Sequence, residues 1–289
     1  MRFSATRLLL TLLLPAGVLS GTAHAQTALP AGSAHYTIYQ GDKPVGSSDY
    51  TIQPQSAGVS ITSHGKLTLS KFNYSFTNTQ RLDTSLNLVD DQLTGDVNGS
   101  PVTFSAKSDS SGRQFQISIS ANGKQTQNSV DRHQHLVLLP DLDSAAYVLL
   151  TKLALQNPPS SWILIPKDTG LLIPSLYARA ASVRGRLNNS QMDVQHTTVT
   201  VGSQNPITVE LFYTSDGRCL EADLPEQNFF VVLDGFKLVN RPKEAPPQGS
   251  GPPPQNGQQQ NGQPQPGQPQ SGPPQYPAPQ GGYPSPQQQ

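Results

Sequence analysis

The chain has 289 residues, and its 19 basic and 19 acidic side chains give a formal net charge of zero. Charged residues make up only 13% of the sequence, and Lys and Arg do not cluster, which argues against a nucleic-acid interface and an electrostatic membrane patch. Cys219 is the single cysteine, so no internal disulfide can form and the apolar core must hold the fold.

The N-terminal segment has the parts of a secretory signal peptide. Arg2 and Arg7 precede the uncharged apolar run 8–14, and small residues lead up to Ala25. The run is shorter than the roughly 20 residues that a membrane-spanning helix needs. We therefore predict that residues 1–25 are a signal peptide and that the mature chain is periplasmic or secreted, without a transmembrane segment. The alternative is a retained membrane anchor.

Residues 26–243 are predicted to form one antiparallel β domain. Apolar and polar residues alternate with a period of two, most clearly in 114–120 and 207–213, as in strands with one buried and one solvated face. Asn98-Gly99 and Asn122-Gly123 match two-residue hairpin turns, because Asn and Gly accept a positive φ.

The alternation changes register near Ser70-Lys71. The residues concerned are Leu67 and Leu69 before this point and Phe72, Tyr74 and Phe76 after it. A bulge or a break in the strand explains such a change. Because bulges bend sheets, the sheet is expected to be curved.

The segment 142–156, LDSAAYVLLTKLALQ, is the long stretch with a helical period, since its apolar residues recur at spacings of three and four. Asp141 or Asp143 can cap the helix start, and Asn157-Pro158-Pro159 ends it. The helix is apolar over most of its girth and must be covered on several sides. The predicted fold is therefore mainly β: a curved antiparallel sheet or incomplete barrel wrapped round this mid-chain helix.

A curved sheet over an apolar helix can leave a concave apolar site. We place Trp162, Tyr147, Leu149 and Leu153 near this site, as side chains that contact a lipid or another apolar small molecule. In the alternative interpretation, the four side chains fill a dry core. The predicted function is that of an exported, non-catalytic binding protein.

Two segments were weighed for chemistry. Asp168-Thr169-Gly170 matches the core triplet of aspartic proteases, but no second triplet is present, and a hairpin turn explains it more simply. His133-Gln134-His135, with Asp131 in register, could hold zinc, or it could form a solvated strand face. Neither a Gly-x-Ser-x-Gly elbow nor a His-Glu-x-x-His motif occurs. We predict no catalytic residue, metal or cofactor, with a hydrolase as the least favoured alternative.

The C-terminal tail, residues 244–289, is rich in Pro, Gln and Gly. From residue 246 onward it carries no charge and no large aliphatic side chain, so it cannot offset chain entropy and is predicted to be disordered. It is interpreted as a solvated spacer. Alternatively, its proline segments bind a protein partner, which would make the chain a structural or interaction protein of the cell envelope.

Two hairpins resemble those of uncharacterised exported β-domains. The first is Tyr36-Thr37-Ile38-Tyr39, followed by Gly41 and Gly46, and the second is 211–218, LFYTSDGR, leading into 220–222, LEA. These domains are similar in plan to the bacterial outer-membrane lipoprotein carrier superfamily. The resemblance implies an incomplete antiparallel barrel that curls round a helical plug and holds an apolar cavity. It transfers no ligand-binding residue by position.

Overall fold

The computed structural model describes residues 29–158, 160–167, 170–203, 206–239 and 241. The predicted signal peptide 1–25, the predicted disordered tail 244–289, and Asp168 and Thr169 of the protease-like triplet lie outside the described residues.

In the described part of the chain, nine strands precede the helix. They are β1 (Gly32–Gln40), β2 (Lys43–Gln55), β3 (Gly58–Leu69), β4 (Phe72–Leu82), β5 (Leu88–Val97), β6 (Ser100–Ser108), β7 (Gln114–Ala121), β8 (Lys124–Asp131) and β9 (Leu136–Leu138). The helix α1 is Ser144–Gln156. After it come β10 (Ser161–Ile165), β11 (Leu171–Arg179), β12 (Val183–Leu187), β13 (Ser190–Val201), β14 (Ile207–Tyr213), β15 (Cys219–Leu224), β16 (Phe229–Leu233) and β17 (Phe236–Leu238).

The strands pair mainly with their neighbours in sequence. β1 to β8 form an antiparallel meander in which each strand pairs with the next. The other edge of β1 pairs with β16, and the sheet continues through β15, β14, β13, β11 and β10. β10 finally pairs with β9 in parallel. The first half of β13 diverges to pair with β12, and β12 pairs with β17.

Among the described residues β8 pairs with β7 and β9 pairs with β10, and no register joins β8 to β9, so the sheet curls round without closing. Register shifts at Ile38/Tyr39 in β1, Arg81/Leu82 in β4 and Phe212/Tyr213 in β14 mark irregularities that increase the bend. The prediction of a curved, incomplete antiparallel barrel is thereby confirmed.

The helix lies in the interior of the curled sheet. Every residue from Ser144 to Ala154 is buried, including Lys152. Asp143 is the N-cap and accepts a hydrogen bond from the backbone N–H of Ala145, while Asn157 ends the helix in the left-handed conformation. The helix is therefore covered on all sides, as its apolar girth predicts. No helix among the described residues is long and apolar enough to cross a membrane.

The predicted hairpin turns are present. Asn98 and Gly99 have φ values of 53° and 83°, and Asn122 and Gly123 have 51° and 71°, which fits the type that needs two positive φ angles. Near Ser70-Lys71 the structure has a two-residue turn, and Leu69 pairs with Phe72. The register change reflects a reversal of the chain, so of the two explanations the break is right and the bulge is wrong.

Candidate functional site: an apolar groove at one mouth of the barrel

The helix occupies only part of the barrel's length. At its start, the Asp143 carboxylate accepts hydrogen bonds from Ser63 at 3.0 Å and Asn78 at 3.3 Å, both near the middle of their strands. Toward its end, Lys152 Nζ donates to the carbonyl of Asp216, in the turn between β14 and β15, at 3.1 Å. The helix thus runs from mid-barrel to the β14–β15 end and leaves space at the opposite mouth.

The first part of that space, the helix lobe, has a volume of about 400 Å³. It lies between the helix start and the strand ends at this mouth. Its apolar lining includes Leu67, Leu69, Tyr147, Ile207, Val209 and Phe229. Volumes of this size and an apolar lining are typical of small-molecule sites.

The second part, the sheet lobe, has a volume of about 450 Å³. It lies against the inner faces of β4 to β7, near the Asn98-Gly99 and Asn122-Gly123 turns. Its lining includes Tyr74, Leu93, Val97, Val102, Phe104 and Ile119. We call the two lobes together the mouth groove.

The two lobes meet at three residues that line both: Phe72, Asp141 and Lys167. Lys167 Nζ lies 3.1 Å from Asp141 Oδ1, and the two side chains are 60% and 53% exposed. Asp141 and Lys167 are also the charged residues in the lining of the groove. The groove therefore has two apolar arms and a charged junction open to solvent.

Aromatic rings run along β4 from the junction into the barrel. The Phe72 and Tyr74 ring centroids are 6.3 Å apart, and those of Tyr74 and Phe76 are 5.3 Å apart. Burial raises the pKa of the Tyr74 hydroxyl, so this group stays neutral at physiological pH. The Phe72 and Tyr74 rings present an uncharged wall to the groove, and the buried Phe76 continues the row inside the barrel.

The structure distributes the four side chains that the sequence placed at a site. Tyr147 lines the helix lobe. Leu149 and Leu153 are each 3% exposed, lie further along the helix and line neither lobe. Trp162 lies near the start of β10, away from Ile165 at the groove end, and stacks on His133 with ring centroids 4.0 Å apart.

Sequence reasoning missed the residues of the β3–β4 hairpin, although the signal was visible. Because Ser70-Lys71 reverses the chain, Leu67, Leu69, Phe72, Tyr74 and Phe76 all face inward. Leu69, Phe72 and Tyr74 are only partly buried. Read as a hairpin, the same register change would have predicted an apolar inner face extending to the end of both strands.

A second feature of the interior is polar and buried. Gln80 and Asp91 face each other on β4 and β5 and are 1% and 2% exposed. Neither the Gln80 amide nor the Asp91 carboxylate has a hydrogen-bond partner among the described residues. Burial, together with the nearby charge of Asp143, raises the pKa of Asp91 well above its usual value.

Another polar cluster lies on β15, where Arg241 forms ion pairs with the buried carboxylates of Glu221 and Asp223. The Arg241 guanidinium also lies 4.2 Å from the centroid of the Phe230 ring. Burial and the neighbouring Glu221 raise the pKa of Asp223 above its usual value, while the Arg241 guanidinium opposes the rise. Because Arg241 pairs with two carboxylates of the same domain, the cluster is suited to holding Arg241 against β15.

Within the described part of the chain, the histidine segment 133–135 and Cys219 form no reactive site. The described part of the chain contains no group of three or more His, Cys, Asp or Glu side chains that could hold a metal. His133 packs against Trp162 instead of pairing with His135. Cys219 is buried, and burial raises the pKa of its thiol to about 12, which keeps it protonated and unreactive.

The comparisons with known proteins give structural neighbours only. No protein-family model and no curated protein matches the sequence. A β-barrel-like protein of the domain of unknown function DUF1849 from Brucella abortus is similar, with a TM-score of 0.48 and 10% identity over 74% of this chain and 99% of that chain. A DUF1089 family protein from Pseudomonas aeruginosa has a TM-score of 0.41 and 10% identity over 62% and 90%.

By its own strand pairings this chain is a β-barrel-like domain with an internal helix. Its groove opens at the mouth opposite the helix's C-terminal end.

Proposed function

We propose that this domain is an exported, non-catalytic binding protein that holds the apolar part of a lipid or a similar molecule in the mouth groove. The observation that supports the proposal is the pair of apolar lobes, about 400 and 450 Å³, at the part of the barrel that the helix does not fill. The same proposal includes export and a likeness in plan to the lipoprotein carriers. A lipid outside a membrane needs a binding site that shields its apolar part from water.

The chemistry of the lining supports binding rather than catalysis. The groove walls are mainly aliphatic and aromatic, and its charged pair, Asp141 and Lys167, lies open to solvent. A general acid or base usually has a pKa shifted by burial or by neighbouring charges. The buried carboxylates with shifted pKa values, Asp91, Asp143, Glu221 and Asp223, line neither lobe.

The neutral apolar fluorophore N-phenyl-1-naphthylamine tests the proposal in titrations of the full mature chain. Leu69→Gln removes an apolar wall residue that is only partly buried. Losing such a contact costs about 1 to 2 kcal/mol, which weakens binding roughly five- to thirtyfold. Leu176→Gln is the matched control, because Leu176 is 69% exposed and lies outside the groove.

We expect probe uptake by the parent and by Leu176→Gln, and weaker uptake by Leu69→Gln. Native mass spectrometry of the purified parent should also show adducts in the mass range of lipids. A ligand-free mass combined with no probe uptake would refute the proposal. Equal binding by the two variants would exclude this groove as the site.

A further inference from the structure

The charged junction of the mouth groove determines which side chains contact the polar end of a bound ligand. Asp141 and Lys167 form an ion pair where the two lobes join, and each of the two residues lines both lobes. A molecule whose apolar chains enter the lobes must therefore place its polar end beside one positive and one negative side chain.

The pair can be exchanged at little cost. Both side chains are more than half exposed, and an exposed ion pair contributes only about 0 to 1 kcal/mol. A ligand that brings a positive and a negative group can replace each partner without leaving a charge unpaired. A phosphate would accept hydrogen bonds from the Lys167 ammonium, and a primary ammonium would donate to the Asp141 carboxylate.

The two lobes indicate the number of chains. They extend from the shared junction in different directions, one toward Tyr147 on the helix and the other along the inner faces of β4 to β7. A ligand with one chain fills one lobe and leaves apolar walls in water. A ligand with two chains attached to one head fills both, and burial of apolar surface favours it.

Charge complementarity also disfavours ligands with other head groups. A fatty acid or a purely anionic lipid brings a negative group next to Asp141 without a compensating cation, and juxtaposed like charges oppose binding. A neutral diacylglycerol offers only a hydroxyl and ester oxygens and forms no ion pair with either side chain. We propose, on the basis of the proposed function, that the groove selects a two-chain phospholipid whose head contains both a phosphate and a primary ammonium.

Short-chain lipids test this selectivity in competition with the neutral probe N-phenyl-1-naphthylamine. The probes are dioctanoyl phosphatidylethanolamine, dioctanoyl phosphatidylglycerol, dioctanoylglycerol and a single-chain lysophosphatidylethanolamine. With the full mature chain we expect the two-chain ethanolamine lipid to displace the probe at about fivefold lower concentration than any of the other three, the gain of one exposed charge pair.

Two variants separate the roles of the junction residues. Asp141→Asn should remove the preference for the ethanolamine head and improve binding of the glycerol head, because Lys167 then has no competing anion. Lys167→Met should remove the contact to the phosphate, so that dioctanoyl phosphatidylglycerol binds no better than dioctanoylglycerol and the ethanolamine lipid keeps only the contact of its ammonium with Asp141. Asp193→Asn is the matched control, since Asp193 pairs with Arg184 at 3.1 Å on the exposed surface, outside the groove.

The outcomes distinguish the two proposals. If the four lipids displace the probe equally and neither junction variant changes their order, the head-group inference is wrong while apolar binding stands. If the single-chain lipid matches the two-chain ethanolamine lipid, the two-chain part is wrong. If the parent takes up no probe and native mass spectrometry shows no lipid adduct, the proposed function itself fails.

Discussion

Gln80 and Asp91 are polar side chains at inner-face positions where the surrounding strands carry aliphatic ones. Leu93, two residues after Asp91 on β5, is 4% exposed, and Ile61, opposite Gln80, is 1% exposed. Burial disfavours the charged form of the Asp91 carboxylate and the nearby charge of Asp143 adds to this, which is why the pKa of Asp91 is raised.

Replacing Asp91 with Asn should therefore stabilise the domain as the pH rises. A raised pKa means that the folded state binds a proton that the unfolded state has lost, so the parent loses stability above the unfolded pKa of about 3.9. We expect the melting temperature of Asp91→Asn to exceed that of the parent at pH 8 and to match it near pH 3.5. Asp193→Asn, which alters an exposed partner of Arg184, is the control. A variant that melts below the parent at pH 8 would contradict this account of the site.

Asp143 combines a cap with a titrating group. It caps the helix start, yet burial raises its pKa to about 6 although Ala145, Asn78 and Ser63 donate hydrogen bonds to it. The folded pKa lies above the unfolded one, so its contribution to stability is present below about pH 4 and is lost as the pH rises through about 6.

From this shift we expect Asp143→Asn to flatten the pH dependence of unfolding. Asn is as good an N-cap as Asp, so the helix start is kept while the titration is removed. Between pH 4 and pH 7 the parent should lose on the order of 3 kcal/mol more stability than the variant, from 1.36 kcal/mol per unit of pKa shift. Urea unfolding at both pH values measures the difference. Parallel curves for the two proteins would show that Asp143 does not titrate in this range.

At the level of the elements, local patterns predicted what depends on local physics. The helix period and its cap placed α1 within two residues of its observed start, and the two Asn-Gly turns were placed correctly. The alternation of apolar and polar residues changes register at Ser70-Lys71, but a bulge and a chain reversal produce the same change in the sequence. Distinguishing them requires knowing that Leu69 pairs with Phe72, which is a tertiary fact.

The helix should be indispensable to the fold. Leu150 is fully buried at mid-helix, and Leu150→Asp would lose about 1.5–3 kcal/mol of apolar burial and add an unpaired buried charge. Since a whole domain is stable by only about 5–15 kcal/mol, we expect no cooperative melting transition in circular dichroism. Leu176→Asp, at a 69% exposed position, should melt near the parent temperature. A cooperative transition of Leu150→Asp near the parent temperature would mean that the helix is not structural.

Across the whole molecule, sequence reasoning gave the architecture but not the location of the groove. An apolar helix inside a curved sheet follows from periodicity and burial. Where the helix leaves space depends on how deeply it sits, and that is fixed by Asp143 meeting Ser63 and Asn78 at one end and by Lys152 reaching Asp216 at the other. These contacts join residues 64 to 80 positions apart, which no local pattern reveals.

The tail, residues 244–289, should be separable from the domain. Its composition offers no side chains for a core, so deletion is expected to leave the melting temperature within about 1 °C of the parent. Its proposed role, as a spacer or as the site of a protein partner, would appear instead as altered localisation or as lost partners in pull-downs with the deletion variant. A melting temperature lowered by many degrees would show that the tail belongs to the folded domain.

The most direct test of the central claim is to locate a bound lipid by photocrosslinking. A two-chain phosphatidylethanolamine with a diazirine in one acyl chain is bound to the purified mature chain and irradiated, and the labelled peptides are identified by mass spectrometry. We predict labels on the β3–β4 hairpin, around Leu69 and Phe72, and on the groove-facing ends of β6 and β7, with excess unlabelled lipid suppressing them. Labels confined to the region of Trp162, or scattered over exposed residues such as Leu176 and not suppressed, would contradict the account.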